Sequence, residues 1–233
     1  MKHQNPNRAP GSGEVRTAVS PRILAVAILA AAWLTRSALG AEPLFQEDFS
    51  QVAPGQVPES FLVIDGQFAV QEEEGNRFLE LPGAPLESFG VMFGPAAKED
   101  RSVRARFHGT GQGRRFPVFG VSLNGIAGYR LQVSPAKKSV ELLKGDTVQA
   151  TAPFSWESGT WTQLRIQIRK VGAAAWVVEG KAWKGGNPEP AAWTVSWNEP
   201  EAPIAGRSAV WGKPFSGTPI RFDDLRVSEA STP

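Results

Sequence analysis

The sequence has no cysteine among its 233 residues. This absence excludes disulfide bonds, thiolate metal sites, a thiol nucleophile and a lipid anchor on cysteine. The stability of the fold must therefore come from buried apolar surface. A domain of about 190 residues buries roughly 70% of the surface of its unfolded chain, so it can be stable without cross-links.

Long apolar runs are also scarce, since Ile23–Leu34 is the single long one. Its twelve residues are too few for a helix across the membrane, which needs about 20. Small residues follow at the two positions that a signal peptidase reads, Ala38 and Gly40, and basic residues precede it: Lys2, Arg8, Arg16 and Arg22. This order predicts a signal peptide with a long polar start over 1–40, cleaved after Gly40, with an uncleaved anchor as the alternative.

The leader predicts export to a secreted or periplasmic location, followed by one domain over 41–233 that does not span a membrane. It also changes the charge argument. Residues 1–40 hold five basic residues and one acidic residue, so 20 basic and 22 acidic residues remain and the net charge changes from +2 to −2. A slightly acidic domain gives no reason to expect nucleic acid as a partner.

What the rest of the chain does contain is period-two alternation between turns. Apolar and polar side chains alternate over 103–108, 129–134 and 164–169, which predicts strands with one buried face and one exposed face. Turn signals such as Asn124-Gly125 and Gly145-Asp146 separate short strands, and no helical stripe lies between them. The pattern predicts an all-β, antiparallel two-sheet sandwich or jelly roll. The proline-rich stretch 184–206 is expected to be a long ordered loop.

Several of these segments resemble the concanavalin A-like lectin/glucanase superfamily, and the laminin-G-like and 3-keto-disaccharide hydrolase-like secreted domains in particular. The similar segments are LFQEDFS (44–50), GYRLQVS (128–134), WESGTWTQLRIQI (156–168), GKAW (180–183) and IRFDDLRVS (220–228). The resemblance implies a jelly roll whose first and last strands pair. It also implies carbohydrate binding or carbohydrate cleavage.

The sequence contains little that indicates catalysis. The glucanases of this superfamily carry Glu-x-Asp-x-x-Glu on one strand, and that pattern is absent. Glycoside hydrolysis needs two carboxylates about 5–9.5 Å apart, and the acidic run 72–74 is better explained as a solvated strand end before a turn. Residues 41–233 hold one histidine, His108, and one tyrosine, Tyr129. No catalytic residue is predicted.

Ligand binding is the alternative use of the exposed faces. If their strands are neighbours in one sheet, Arg104, Arg106, His108, Arg130 and Arg165 form a basic surface suited to an anionic glycan or another cell-surface component. Sugar rings also stack on aromatic side chains. Trp183, Trp193 and Trp197 lie in or beside the proline-rich stretch and are the candidate platform. An ordinary solvated sheet and core roles for the tryptophans are the alternatives.

An acid pair suggests a metal site. The apolar residues fall on even positions before Asp223-Asp224 and on odd positions after it, which predicts a β-bulge there. The resemblance implies that terminal strands can hold a structural Ca²⁺, with Asp223 and Asp224 joined by Glu47 and Asp48 as oxygen ligands. The alternative is an acid pair at a strand distortion.

Three functional hypotheses follow. The first is an exported carbohydrate-binding or surface-recognition domain without catalytic activity. The second is a glycoside hydrolase of the 3-keto-disaccharide hydrolase-like type, for which His108, Arg130 and Glu179 are the available polar residues. The third is a structural exported domain.

Overall fold

The computed structural model describes residues 42–231, and the predicted signal peptide lies outside them. In this part of the chain the all-β prediction is confirmed. Fifteen strands form two antiparallel sheets, with one 3₁₀ turn at Pro135–Lys137. In chain order the strands are β1 Phe45–Glu47, β2 Leu62–Asp65, β3 Ala69–Glu73, β4 Asn76–Leu81, β5 Phe89–Ala97, β6 Arg101–Gly109, β7 Val118–Leu123, β8 Tyr129–Ser134, β9 Ser139–Lys144, β10 Thr147–Pro153, β11 Trp161–Gly172, β12 Ala175–Lys184, β13 Val195–Glu199, β14 Gly206–Lys213 and β15 Ile220–Glu229.

The two sheets have separate strand sets. Sheet A has the order β13-β12-β11-β6-β15-β4-β3, and β1 pairs with β15. Sheet B has the order β10-β9-β8-β7-β14-β5-β2. The implied pairing of the terminal strands is confirmed, since Phe45 lies opposite Val227 in an antiparallel register.

The core lies between the sheets and follows the predicted alternation. On β6 the inward residues Val103, Ala105 and Phe107 are fully buried, and arginines alternate with them on the outer face. Phe107 stacks on Phe119 of sheet B, with ring centroids 5.2 Å apart. The period-two pattern therefore fixes two outer faces, one on each sheet, and any surface site built on a strand belongs to one of them.

The predicted distortion at the acid pair is present. The register between β15 and β6 shifts between Asp223 and Arg226, and Asp224 has a φ of 50° in the left-handed region. The inward side chains change from Phe222 before the bulge to Leu225 after it, and both are fully buried. The extra residue thus preserves the apolar face on both sides of the bulge.

The proline-rich stretch differs from its prediction as a loop. Val195–Glu199 forms β13, which pairs with β12 at the edge of sheet A. Val195 is buried and Trp197 packs against the core, so alternation resumes once the prolines end. Pro188 and Pro190 lack backbone N–H groups, which keeps the segment before β13 out of the sheet.

Within residues 42–231, no helix has both the length and the apolar character that crossing a membrane would require.

Candidate functional site

One surface pocket lies on the outer face of sheet B and is called the Trp211 pocket. It spans strands from β2 to β8 across the centre of the sheet. Its lining is mostly apolar, with three polar side chains among the lining residues. The lining residues are Ile64, Ser88, Phe89, Gly90, Met92, Ser122, Gly125, Ile126, Arg130, Ala209 and Trp211.

Trp211 forms the floor of this pocket. On β14 the neighbouring residue Val210 belongs to the core, so Trp211 faces outward. Its cross-strand neighbours are Gly120 on β7 and Gly90 on β5. A Cβ at Gly120 would lie 2.8 Å from Trp211 Nε1. The indole therefore lies flat across the strands, in a position that only glycine at 120 permits.

Arg130 covers the indole from β8. The centre of its guanidinium lies 4.4 Å from the centroid of the Trp211 ring, which is cation–π geometry. Within residues 42–231, this guanidinium pairs with fully exposed Asp146 over a distance of 3.4 Å. Burial lowers the pKa of Arg130, although Asp146 opposes this effect. Neither Arg130 Nε nor Trp211 Nε1 has a hydrogen-bond partner among residues 42–231.

The rim of the pocket exposes aliphatic side chains. Ile126 is 72% exposed and Ile64 is 44% exposed, although both lie beside the buried Trp211. The hydroxyl of Ser122 adds a polar group to the lining. An apolar cleft with an aromatic floor and a few polar groups is the usual composition of a small-molecule site.

A carboxylate lies further along the same outer face. Glu141 is in register with Gln132, which is followed across the sheet by Gly120 and then Trp211. It accepts hydrogen bonds from Gln132 Nε2 at 2.5 Å and Ser134 Oγ at 2.8 Å, and it pairs with Lys137 at 2.7 Å. Burial alone would raise the pKa of Glu141, but these contacts outweigh it and the pKa is lowered. The Glu141 carboxylate is therefore engaged as a structural acceptor.

The predicted ligand-binding residues do not share one surface. Arg130 lies on sheet B, whereas Arg104, Arg106, His108 and Arg165 lie on the outer face of sheet A. The assumption that their strands are neighbours in one sheet is therefore wrong for Arg130. Alternation correctly gives the outward direction of each side chain, but it does not say which sheet a strand joins.

On sheet A, most of these cations have partners. Arg106 pairs with Asp223 at 2.5 Å and with Asp224 at 3.0 Å, and it stacks over Trp161. Arg165 pairs with Glu189 at 2.7 Å. Sheet A therefore does not present a continuous basic surface, because acids from the same chain neutralise most of the charge on its outer face.

His108 and the three candidate tryptophans take separate positions. The His108 ring lies 5.4 Å from Trp161, and burial together with Arg221 lowers the pKa of the imidazole. Trp183 is 6% exposed on β12. Trp193 lies beside Lys181 at 4.5 Å on the outer face of sheet A, whereas Trp197 packs against the core. The three tryptophans do not form one platform.

The proposed calcium ligands are only partly brought together. A cleft contains Asp48, Asp223 and Asp224, and Glu47 is absent from its lining. The Glu47 carboxylate instead accepts the backbone N–H of Phe49 at 2.7 Å.

Arg106 stands between the carboxylates of Asp223 and Asp224, and Asn76 also donates to Asp223 at 3.1 Å. Burial raises the pKa of Asp223, although these hydrogen bonds oppose it. No cluster of three or more metal-ligating side chains occurs in residues 42–231. This donor arrangement suits a guanidinium and does not fit Ca²⁺ unless Arg106 moves. The calcium site stays a prediction.

Sequence reasoning did not single out Trp211, although a signal for it exists. Alternation over 208–212 places Val210 inward and Trp211 outward, so the sequence alone indicates a large aromatic side chain on an outer sheet face. The matching glycines at 90 and 120 are distant in sequence, so their register with Trp211 became visible only in the fold.

Comparisons with known proteins rest on structure, since neither protein families nor curated proteins give a sequence match. The carbohydrate-binding module CBM66 from Bacillus subtilis aligns with a TM-score of 0.51 and 8% identity, over 73% of this chain and 96% of that one. A Bacillus subtilis protein of unknown function with a galectin-like fold aligns at 0.58 with 10% identity, over 83% and 98%. The catalytic domain of a glycoside hydrolase family 131 protein from Coprinopsis cinerea aligns at 0.51 with 11% identity, over 82% and 96%. At these identities the likeness shows the fold alone, and the described chain has the concanavalin A-like sandwich fold of lectin-like and galectin-like domains.

Proposed function

We propose that this chain is a carbohydrate-binding domain without catalytic activity, and that its glycan binds in the Trp211 pocket. The observation that carries the proposal is the outward indole of Trp211 between two glycines, with Arg130 stacked 4.4 Å above it. The apolar face of a sugar ring can pack on the exposed aliphatic rim, and its hydroxyls can accept hydrogen bonds from the guanidinium. Proteins of similar fold include a carbohydrate-binding module, which supports this use.

Arg130 favours a glycan that carries a carboxylate or sulfate near the stacked ring. Its ion pair with Asp146 is long and solvent-exposed, so it contributes little to holding the guanidinium. A ligand carboxylate could form the two parallel hydrogen bonds for which guanidinium geometry is suited. The anionic character of the glycan and a location on a cell surface belong to this proposal.

The hydrolase alternative needs two carboxylates across the scissile bond, about 5–9.5 Å apart. The eleven described residues that line the Trp211 pocket include neither aspartate nor glutamate. Glu141, on the same face, is held by three hydrogen-bond donors. These features favour binding over hydrolysis, even though a glycoside hydrolase has a similar fold.

Export is the second part of the proposal. The apolar run and the basic residues before it support a signal peptide over 1–40. Expression of the full chain in a secreting host, followed by N-terminal sequencing, tests it. A mature protein that begins at Ala41 is expected, and one that begins at Met1 would contradict cleavage.

Binding is tested by a glycan array with the purified protein, followed by calorimetry on each hit. We expect acidic glycans to bind, and Arg130→Gln to weaken an acidic hit at least tenfold more than its neutral counterpart. Arg169→Gln, on the other sheet, is the control and should leave both affinities unchanged. An array without signal would contradict carbohydrate binding. Equal losses for acidic and neutral glycans would contradict the role of Arg130 alone.

A further inference from the structure

Four basic residues lie in one row across the outer face of sheet A. Arg226 on β15 lies opposite Arg104 on β6, Arg104 lies opposite Arg165 on β11, and Arg165 lies opposite Lys181 on β12. We call this set the cation row. Strands are about 4.8 Å apart, so the row extends about 14 Å. Like charges directly opposite on neighbouring strands destabilise a sheet, so this arrangement opposes folding.

The rows on either side are balanced. Arg106 pairs with Asp223 and Asp224. Arg169 pairs with Glu179 at 3.0 Å. The cation row differs, because among residues 42–231 a single acid, Glu189, forms the ion pairs of Arg104, Arg165 and Lys181. Arg104, Arg165 and Lys181 therefore share one carboxylate, and their combined positive charge exceeds its negative charge.

Glu189 sits among these cations as a bound anion would. Its Oε1 lies 2.7 Å from Arg165 Nη1 and 2.8 Å from Lys181 Nζ, and its Oε2 lies 3.5 Å from Arg104 Nη1. Lys181 is only 4% exposed. Arg104 Nε is buried without a hydrogen-bond partner in the described part of the chain. These three cations thus bind one carboxylate, and Arg104 Nε remains a donor that this carboxylate does not satisfy.

The segment that carries Glu189 is joined to sheet A mainly at its two ends. Backbone hydrogen bonds anchor its two ends, from Gly185 N to Trp161 O and from Thr194 N to Gly180 O. Pro188 and Pro190 flank Glu189 and have no N–H to donate. At the centre, the contacts come from the Glu189 side chain and from the Pro190 carbonyl, which accepts from Lys181 at 2.6 Å. Withdrawal of Glu189 would leave the pairing of β11 with β12 intact.

We propose that Arg104, Arg165 and Lys181 form a second binding site, separate from the Trp211 pocket, for a carboxylate- or sulfate-bearing saccharide. In the free protein the Glu189 carboxylate occupies this site, and the saccharide replaces it. Two neighbouring features favour a saccharide: Arg104, Arg165 and Lys181 lie on successive strands and can meet successive anionic groups along a chain, and the Trp193 ring centroid lies 4.5 Å from Lys181 and 5.5 Å from Arg165. Because the net charge over residues 41–233 is −2, attraction of a polyanion must come from local positive charge, and this row is one source of it.

The test compares binding of the full-chain protein to heparin oligosaccharides in calorimetry, with Glu189→Gln and Glu201→Gln as charge-matched variants. Glu201 is an exposed acid that pairs with Lys144, away from the cation row. We expect Glu189→Gln to bind heparin at least tenfold more tightly than wild type, and Glu201→Gln to bind as wild type does. Adding Arg165→Gln should abolish the gain, and Trp211→Ala should not affect it. That last result separates this site from the Trp211 pocket.

Equal heparin affinities for Glu189→Gln and Glu201→Gln would overturn the proposal. So would an equal gain for a single-stranded DNA oligonucleotide of the same charge, since this would indicate general electrostatic attraction. If thermal melting shows that Glu189→Gln does not fold, Glu189→Asp replaces it. The shorter carboxylate cannot keep all three contacts, so a smaller gain in heparin affinity is expected, and unchanged affinity would contradict the proposal.

Discussion

The outer faces of the two sheets differ in how their polar groups are used. The face of sheet A carries more charge, yet most of its cations are bound by acids of the same chain, as Arg106 is by Asp223. The face of sheet B carries less charge, but Arg130 has one long, exposed ion pair and stacks on a buried tryptophan. The comparison teaches that charge density does not measure available charge: acids of the same chain bind most cations on sheet A, whereas Arg130 keeps a donor without a partner in residues 42–231 beside the Trp211 ring.

The largest expected effect is a loss of stability when a charged group that holds sheet A together is changed. Asp223 is 1% exposed, and its carboxylate accepts hydrogen bonds from the side chains of Arg106 and Asn76 and from the backbone N–H of Asp224. Asp223→Asn removes the charge of this buried carboxylate and replaces one acceptor oxygen by an NH2 donor that faces other donors, so we expect a loss of about 2–3 kcal/mol in the free energy of unfolding, measured with urea. Glycan affinity at the Trp211 pocket should not change.

Asp224→Asn is the matched control for this experiment. Asp224 is 42% exposed and Asn also tolerates its left-handed backbone, so the loss should stay below about 1 kcal/mol. Equal losses for the two variants would mean that the Asp223–Arg106 pair is not the structural element proposed for sheet A.

The second prediction concerns acid. Burial raises the pKa of Glu189, but hydrogen bonds from Lys181 and Arg165 outweigh it and the pKa lies below its ordinary value. A lowered folded-state pKa contributes stability above the unfolded-state pKa, and this stability is lost as the pH falls through the folded-state pKa. At pH 7, Glu189→Gln should therefore cost about 1–3 kcal/mol of unfolding free energy.

The cost of Glu189→Gln should shrink towards zero as the pH falls below about 4.5, the ordinary value for glutamate. Urea unfolding of wild type and variant between pH 7 and pH 3 measures this difference. A cost that is independent of pH, or that grows in acid, would contradict the role of the ionised carboxylate in holding the segment over sheet A.

The smallest expected effect comes from Gly90→Ala, which narrows the Trp211 pocket and leaves Arg130 and the Trp211 ring in place. A Cβ at Gly90 would lie 3.4 Å from Trp211 Cβ and 3.8 Å from Ile64 Cδ1, which are ordinary contacts. Gly90→Ala should keep stability within about 1 kcal/mol and weaken glycan binding about threefold by narrowing the pocket. Gly172→Ala, whose added Cβ would lie 3.4 Å from Ala175, is the control. Unchanged affinity in calorimetry for Gly90→Ala would place the ligand elsewhere.

Much of the fold follows from local patterns. Alternation predicts the strands and the outward direction of Arg104 and Arg130, and the parity switch at Asp223 predicts the bulge that the register shows. Long-range pairing does not follow from such patterns. The placement of Arg130 on sheet B and the approach of Gly120 to Trp211 depend on which distant strands pair, and a single sequence does not carry this information.

The ion pairs on sheet A could not be predicted from the sequence for a related reason. Glu189 stands between two prolines and looks like an ordinary loop acid, but the return of the chain into β13 brings it over three cations. Ion pairs of this kind join residues from separate segments, so neither spacing nor composition reveals them. The sequence therefore predicts one basic surface, and only the fold shows that Arg130 lies on the other sheet and that acids neutralise most of the charge on sheet A.

The most direct test of the account is the glycan affinity of Trp211→Ala beside that of Trp161→Ala. Both remove an outward tryptophan that stacks with an arginine at 4.4 Å, one on each sheet. With folding verified by thermal melting, calorimetry on an array-selected glycan should show a loss of about 2 kcal/mol, or roughly 30-fold, for Trp211→Ala and no change for Trp161→Ala. Unchanged binding in Trp211→Ala, or an equal loss in Trp161→Ala, would contradict the assignment of the glycan site to sheet B.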